Sequence, residues 1–461
     1  MRVALVSLPV RFSSLLPIDL GYLSAYLKSR GHDVFVKDFS AELPLENDSH
    51  TAHWEDEARQ EELLRGRTAL LAQWVREIAS FSPDFVGFSV WGGQVRFSVR
   101  AAEEIKKLSP KTKIIFGGPR FFGKDALLKG EVVDYAVVGE GEITLAEIVE
   151  SGGHDRPIPG CVRRAGGEMI DGGRRPEDSP LCAFPFPDYS PFDRGRYLLR
   201  KTTPILFGRG CRWNCSFCTH GEVWTRFRPR SAQDAFAEIE LRCAGKSGLQ
   251  EFYVCDHSMN GDMGFLEELC GIILDKSRVP LDFTGFGQVH ARMLDEGVLD
   301  RLKRAGFNHW GIGVQSGSDA VIKSMRRPYT SEQAVRALEL MRKHGMDVCI
   351  DFIVGYPTET EEDFQKTLAF AERVRPLVSN ISVAPFCCIG GNDLHKHPER
   401  YDILTHDPQG NAWSSKHNTP EIRAERYARL MSFLEQHNVP KRFSDSDRAF
   451  LEDKVGGSGG G

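Results

Sequence analysis

The sequence predicts an α/β protein built from two βα series: a doubly wound Rossmann-like sheet, then a partial (β/α)6 barrel with a small, mainly helical C-terminal region. Three observations predict this class. Strand-like apolar runs alternate with helical patterns twice along the chain, and glycine-rich turns follow the strands of the first half. A chain of 461 residues is also longer than the roughly 250–300 residues at which single cores stop growing. At least two domains are therefore expected.

The first series occupies residues 1–150. Residues 3–8 are an apolar run, and residues 20–29 carry apolar side chains at helical spacing before Gly31, a residue suited to ending a helix. Strand, turn and helix recur along the rest of this segment, with strands expected at 33–37, 85–90, 113–116 and 135–138. Open parallel sheets bind ligands at the carboxyl ends of their strands, where the glycine turns lie.

The second series occupies residues 201–390, after an irregular linker at 151–200 that is rich in Gly, Pro and Asp and contains a predicted hairpin around 161–169. Six strands are expected, at 205–207, 251–255, 281–286, 309–314, 348–354 and 381–386. Helices are expected between and after them, at 232–244, 263–276, 295–304, 318–325, 331–344 and 360–374. A C-terminal region at 391–455 carries one predicted helix at 424–436, and the glycine-rich 456–461 resembles a tag remnant.

The composition excludes several classes of protein. Net charge is −5, hydrophobic residues make up 41% and charged residues 27%, which is ordinary for a globular chain and gives no overall attraction to nucleic acid. No apolar run approaches the roughly 18–20 residues of a membrane span. The N-terminal segment does not resemble a signal peptide, so a cytoplasmic protein is expected, whose eleven cysteines stay unpaired in a reducing compartment.

Three of those cysteines form a CxxxCxxC motif, Cys211, Cys215 and Cys218, directly after the first strand of the second series. A structural zinc site usually needs four ligands in two paired motifs, and the chain has no second CxxC. A redox CxxC would leave Cys211 unused. Three thiolates in one loop suit an iron–sulfur cluster with one iron open to another ligand. A non-catalytic iron–sulfur or zinc protein remains an alternative.

This motif in this context resembles the radical S-adenosylmethionine (SAM) superfamily. The resemblance implies a 4Fe–4S cluster on the three cysteines, with the amino and carboxylate groups of SAM on the fourth iron, and reductive cleavage of SAM to a 5′-deoxyadenosyl radical. It also implies that Phe217 lies near the adenine.

Further segments extend the resemblance along the second series. Residues 253–260 match the end of the second strand, where Asp256 is expected at the SAM site. Residues 311–318 match the fourth strand, with Gln315 where the family usually has Glu and Ser316 expected at the ribose hydroxyls. Residues 352–361 match the fifth strand and add Gly355. The sixth strand departs from the family pattern: it leads into adjacent Cys387 and Cys388, for which a buried structural role is expected.

The first series resembles the cobalamin-binding domain that is fused to one radical SAM class. No DxHxxG occurs, so the resemblance implies cobalamin whose lower face is capped by loop residues without a histidine ligand. The glycines would let the backbone approach a large flat ligand. The expected cobalamin contacts are Trp91, Gly92, Gly93, Gln94, Gly117, Gly118, Pro119, Gly139, Glu140, Gly141 and Glu142.

Taken together, the resemblance implies a cobalamin-dependent radical SAM methyltransferase that acts on an unactivated carbon. The alternatives are radical SAM cyclisation, rearrangement or sulfur insertion, with or without cobalamin, and the non-catalytic metal-binding protein. A small-molecule or peptide substrate and an external electron donor of flavodoxin or ferredoxin type are expected, and no nucleic acid partner is expected.

Overall fold

The computed structural model describes residues 1–9, 14–42, 61–62, 64–91, 94–118, 132–152, 156–165, 168–388, 390–406, 413–437, 439 and 441–442. It divides into two compact units, Met1–Arg200 and Lys201–Gly461. In the part of the chain so described, no helix is both long and apolar enough to span a membrane.

The N-terminal unit is a seven-stranded sheet with helices on both faces. Its strands are β1 Arg2–Ser7, β2 Asp33–Asp38, β3 Phe85–Ser89, β4 Lys113–Gly117, β5 Tyr135–Val137, β6 Cys161–Ala165 and β7 Glu168–Asp171. Its helices are α1 Ile18–Ser29, α2 Thr68–Ser80, α3 Val95–Leu108 and α4 Gly141–Glu150. One apolar layer packs α2 and α3 on the sheet, and a second layer packs α1 and α4 on the opposite face.

The strand order of this sheet is β2-β1-β3-β4-β5-β6-β7. The first five strands are parallel, and β6 and β7 add an antiparallel hairpin. The predicted doubly wound class is confirmed. The order 2-1-3-4-5 reverses between β1 and β3, and in such sheets ligands bind at this switch point. The hairpin predicted within the linker is observed as β6 and β7, which form one edge of the first sheet.

The C-terminal unit is a partial barrel. Its strands are β8 Thr203–Ile205, β9 Gly208–Arg209, β10 Arg228–Pro229, β11 Gln250–Val254, β12 Leu281–Gly287, β13 Phe307–Gln315, β14 Asp347–Val354, β15 Asn380–Pro385, β16 Ile403–His406, β17 Trp413–Ser415 and β18 Lys441–Arg442. Its helices are α5 His220–Val223, α6 Ala232–Cys243, α7 Met263–Lys276, α8 Glu296–Arg304, α9 Asp319–Ser324, α10 Ser331–Lys343, α11 Glu361–Val374, α12 Asp393–Lys396 and α13 Pro420–Gln436.

The main sheet of this unit has the order β18-β15-β14-β13-β12-β11-β8, with every pairing parallel. Six neighbouring strands of this sheet, β8 and β11 to β15, therefore form the predicted partial barrel. Because they are parallel, their carboxyl ends share one edge. Side-chain caps begin several of the helices: the hydroxyls of Ser231, Thr330 and Thr360 each accept a hydrogen bond from the backbone N–H three residues later.

The region after residue 391 is continuous with the barrel. Helix α13 buries Leu430 and Leu434 in the barrel core, and β18 pairs with β15. The chain between β15 and α13 holds α12, a short 3₁₀ helix at Pro398–Tyr401 and the antiparallel pair β16–β17. We call its described residues, 386–388, 390–406 and 413–419, the β15–α13 connection.

Candidate functional site

The three motif cysteines follow the carboxyl end of β8, on a loop that β9 and β10 hold in place. Gly210 begins this loop with φ +78°, and a Cβ there would overlap the backbone of Arg226. Only glycine fits so close an approach. Cys215 is buried, and Cys211 and Cys218 are half-buried.

The three thiols influence one another electrostatically. Burial, together with the charges of Cys215 and Cys211, raises the pKa of Cys218 to about 11, although the backbone N–H of His220 lowers it. Burial raises the pKa of Cys211 as well, and the charge of Cys215 adds to it. Such thiols need a positive centre to ionise, and bound iron supplies one.

Among the residues described, no three His, Cys, Asp or Glu side chains converge as a single metal ion would require. In a four-iron cluster, each thiolate binds a different iron, so three sulfurs spread along one loop fit that group.

A buried arginine lies against this loop. Arg327 Nη1 donates a hydrogen bond to Cys215 Sγ at 3.2 Å, and Nε donates to the hydroxyl of Tyr329 at 3.2 Å. Nη2 donates to the carbonyl of Gly313 on β13. Burial lowers the pKa of Arg327, but Tyr329 and Cys215 raise it more, so the net shift is upward. The side chain remains a cation beside the central thiol. The sequence analysis assigned no role to Arg327.

The fourth barrel strand ends at two of the expected SAM residues. Gln315 is buried and has φ +71°, a left-handed conformation that is costly for a residue with a side chain. Ser316 is fully buried, its hydroxyl hydrogen-bonds Thr367 Oγ1 at 3.1 Å, and it accepts the N–H of Ser318. The Ser316 hydroxyl therefore anchors the turn after β13, and its contact with the ribose of SAM stays a prediction.

Asp256 lies at the carboxyl end of β11. Its Oδ1 accepts a hydrogen bond from the backbone N–H of Phe207 at 2.8 Å, which ties the end of β11 to the end of β8. Burial raises the pKa of Asp256 to about 8, although the N–H groups of Phe207 and Gly208 lower it. The carboxyl group therefore lies beside the cysteine loop.

Gly355 follows β14 with φ +75°, and its N–H donates to Glu359 Oε2 at 2.8 Å. A Cβ at this position would overlap the side chain of Arg423 from α13. The glycine is thus explained by an internal contact that the sequence did not indicate. The next residue, Tyr356, shares a 2.8 Å hydrogen bond with Ser216 of the cysteine loop.

The β15–α13 connection packs on the cysteine loop. The backbone carbonyl of Phe217 accepts a hydrogen bond from Asn392 Nδ2 at 3.2 Å, and the N–H of Asp393 donates to the carbonyl of Ser216. The ring of Phe217 packs against one buried apolar group, formed by Val321, Met325, Tyr356, Phe386, Cys388, Leu394, Tyr401, Ile403 and Trp413. Cys388 is buried as expected, whereas Cys387 is exposed.

The N-terminal unit presents the expected cobalamin residues at the carboxyl ends of its strands. Trp91 follows β3 and is 39% exposed. Gln94 is fully buried: its side chain accepts from the N–H of Trp91 at 2.7 Å and donates to Ser7 and to the carbonyl of Leu8. Gln94 therefore joins the loops after β1 and β3 at the switch point, and its contact with cobalamin stays a prediction.

The glycines at the next strand ends differ from one another. A Cβ at Gly118 would overlap the backbone of Val90, so internal packing explains that glycine. Gly139 has φ +84°, a backbone conformation that favours glycine, and no heavy atom lies within 4 Å of its Cβ position. Gly117 ends β4, and Glu140 precedes α4, whose first turn contains Gly141 and the buried Glu142. Gly92, Gly93 and Pro119 lie outside the described residues.

Two family models match the chain. The radical SAM superfamily matches residues 205–371, and the B12 binding domain matches residues 10–149. The chain carries a B12 binding domain followed by a radical SAM domain. The predicted family is confirmed, and each domain falls within one of the two compact units.

Relatives and a solved structure agree with this assignment. The radical SAM protein is 24% identical to an uncharacterized methyltransferase of Pyrococcus horikoshii, over 64% of this chain and 66% of the relative. It is 26% identical to the cytidylyl-2-hydroxyethylphosphonate methyltransferase of Streptomyces wedmorensis, over 77% of this chain and 73% of the relative. The chain thus spans just under two thirds of the Pyrococcus relative's length.

In fold, the radical SAM protein is similar to the methyltransferase TsrM from Kitasatospora setae, a structure with cobalamin and a [4Fe-4S] cluster bound. The TM-score is 0.70 at 18% identity, covering 94% of this chain and 90% of TsrM.

Proposed function

We propose that this chain is a cobalamin-dependent radical SAM enzyme that methylates an unactivated carbon. The observation that carries the proposal is the cysteine loop itself, three thiols beside the buried cation of Arg327 at the carboxyl edge of a partial barrel. The match of residues 10–149 to the B12 binding domain supports the second cofactor. The names of the two relatives support methyl transfer.

The residues have distinct roles in this proposal. Cys211, Cys215 and Cys218 hold the 4Fe–4S cluster, while Phe217, Asp256, Gln315 and Gly355 surround SAM. Trp91, the turn at Gly117 and the turn from Gly139 to Glu142 surround the corrinoid, and Gln94 keeps the loops in place. When bound, these cofactors supply radical hydrogen abstraction and a transferable methyl group, and the protein positions and shields them.

The remaining side chains organise the site. Arg327 offsets negative charge at Cys215, because its guanidinium is buried and fixed by Tyr329. Tyr356 and Asn392 fix the cysteine loop against the fifth strand and the β15–α13 connection. The apolar group around Trp413 keeps water away from Phe217.

A reductant and a substrate complete the system. A flavodoxin or ferredoxin is the proposed electron donor, and a small molecule or peptide is the proposed substrate. None of the eleven cysteines, all of which the structure describes, forms a disulfide, which supports a reducing compartment.

The test is the absorption spectrum and metal content of anaerobically purified protein reconstituted with iron, sulfide and a corrinoid. About four irons and about one corrinoid per chain are expected. Cys211→Ala, Cys215→Ala and Cys218→Ala should each lose the cluster and SAM cleavage, whereas Cys243→Ala, outside the motif, should keep both. Four irons in any motif variant would refute the ligand assignment. Protein that cleaves SAM but takes up no corrinoid would leave cyclisation, rearrangement or sulfur insertion in place of methylation.

A further inference from the structure

A buried arginine that the roles above leave unused lies in the first turn of α13. Arg423 is only 7% exposed, and among the described residues a single hydrogen bond fixes its guanidinium, from Nη1 to the carbonyl of Trp413 at 3.0 Å. The guanidinium carbon lies 3.8 Å from the centre of the Trp413 ring. No ion pair joins Arg423 to a carboxylate within the described ranges.

The groups that face Arg423 are few. Glu421 lies on the same helix, and the thiols of Cys387 and Cys388 lie on the chain after β15. Burial lowers the pKa of Arg423, and these three groups only partly oppose that effect. Each of the three groups interacts with Arg423 through its charge alone. The N–H groups of the guanidinium that do not bond to Trp413 can therefore donate to a further partner.

The internal contacts do not balance the cost of this burial. Stacking on an aromatic ring recovers less free energy than removing an ion from water costs, even after relaxation. Two of the other buried arginines of this unit, Arg230 and Arg426, each contact a carboxylate, and the third, Arg327, donates to the thiol of Cys215. An anion from outside the chain would supply the negatively charged partner that Arg423 lacks.

The position of Arg423 favours a ligand that enters at the carboxyl edge of the barrel. Its methylene groups lie against Gly355 at the end of β14, and its thiol neighbours follow the end of β15. This is the edge that also carries the cysteine loop, and barrel enzymes bind substrates there.

We propose that Arg423 binds the carboxylate or phosphate group of an anionic substrate, beside the thiol of Cys387. This inference rests on the proposed function, since it assigns part of the substrate site of that enzyme. Guanidinium groups bind both anions through paired, charge-assisted hydrogen bonds. The carboxylate of SAM is a separate group, implied by the family resemblance to bind the cluster.

The test uses the exposed thiol of Cys387 as a reporter in the cluster-loaded protein. Iodoacetamide alkylation is followed by mass spectrometry with inorganic phosphate, with acetate or with chloride at equal ionic strength, and exposed Cys182 of the other unit is the internal reference. Phosphate or acetate should slow alkylation of Cys387 relative to Cys182, and the more effective anion identifies the substrate group.

Three variants make the test specific. In Arg423→Gln, the anion concentration for half-protection should rise about tenfold or more, because the charge-assisted bonds are lost. Arg423→Lys keeps the charge without the planar fork, so it should retain part of the protection. Arg429→Gln removes a more exposed arginine of the same helix, one that pairs with Glu361. The anion concentration for half-protection in this variant should match that of the parent.

Two results would overturn the inference: no protection of the parent by either anion, or equal protection in Arg423→Gln. Loss of SAM binding in Arg423→Gln would also overturn it, by assigning the residue to SAM. Iron content and uncoupled SAM cleavage, measured on the same samples, test the proposed function separately. They should be unchanged in every variant.

Discussion

Arg327 and Cys215, 112 positions apart in the sequence, share a 3.2 Å hydrogen bond from guanidinium to sulfur. The loop after α9 thereby places a fixed cation beside the middle cysteine of the motif. Hydrogen bonds and charge near the sulfurs set the stability and reduction potential of iron–sulfur clusters.

Arg327→Gln should therefore make the cluster harder to reduce, because a positive charge no longer stabilises the extra electron. The midpoint potential, measured by anaerobic redox titration, should become more negative, and iron retention during gel filtration should fall. Arg327→Lys retains the charge, so its midpoint potential should lie between those of the parent and Arg327→Gln. An unchanged potential in Arg327→Gln would show that the arginine only holds Gly313 and Tyr329 in place.

Gly355→Ala should destabilise the protein. Alanine in a left-handed conformation costs about 1–3 kcal/mol, and the new methyl group also displaces Arg423. The thermal midpoint should fall relative to the parent. The matched control is Gly271→Ala, in the middle of α7, where the Cβ position is open and alanine should be neutral or stabilising. Equal midpoints for Gly355→Ala and the parent would contradict the structure at this turn.

Glu359 makes stability depend on pH. The residue is fully buried, its Oε1 has no hydrogen-bond partner among the described residues, and its Oε2 contacts Gly355 and Arg426. Burial raises the pKa of Glu359 to about 7, although the Gly355 N–H and Arg426 lower it, while Asp363 and Glu361 raise it.

Because this pKa is higher in the folded chain, the protonated carboxyl contributes stability that is present below the unfolded pKa and is lost as pH rises through about 7. The thermal midpoint of the parent should fall relative to Glu359→Gln between about pH 5 and about pH 8. Glu332→Gln is the control: hydrogen bonding to Arg373 lowers the pKa of Glu332, so the difference in thermal midpoint between this variant and the parent should stay constant over that range. A constant difference for Glu359→Gln would contradict the prediction.

Substitution of Gln94 should reduce corrinoid retention and leave the iron content unchanged. Gln94→Leu removes the hydrogen bonds that join the loops after β1 and β3, so bound corrinoid, quantified by absorbance after gel filtration, should decrease. Trp91→Ala should change the spectrum of the bound corrinoid through direct contact. Both variants should keep about four irons per chain.

In the parent, the electron paramagnetic resonance spectrum of Co(II) should lack nitrogen splitting from an axial histidine. Observed nitrogen splitting would refute the loop-capped arrangement.

The sequence determined the fold class and most of the elements. Predicted strands at 281–286 and 348–354 are observed as Leu281–Gly287 and Asp347–Val354, and the predicted helix at 263–276 is observed with the same bounds. Hydrophobic period and turn residues are local signals, so they can be read along the chain. The spacing of the three cysteines is equally local, and it indicated the radical SAM family that the comparison confirms.

Only the tertiary structure decided which side chains face the site and which serve the fold. Ser316 and Gln94 matched ligand-binding positions in sequence, yet both are fully buried and hydrogen-bonded within their units. Arg327 reaches Cys215 and Arg423 reaches Gly355 across long stretches of sequence. The physical reason is that burial and long-range contacts depend on how elements pack, and a residue type and its neighbours along the chain do not specify that packing.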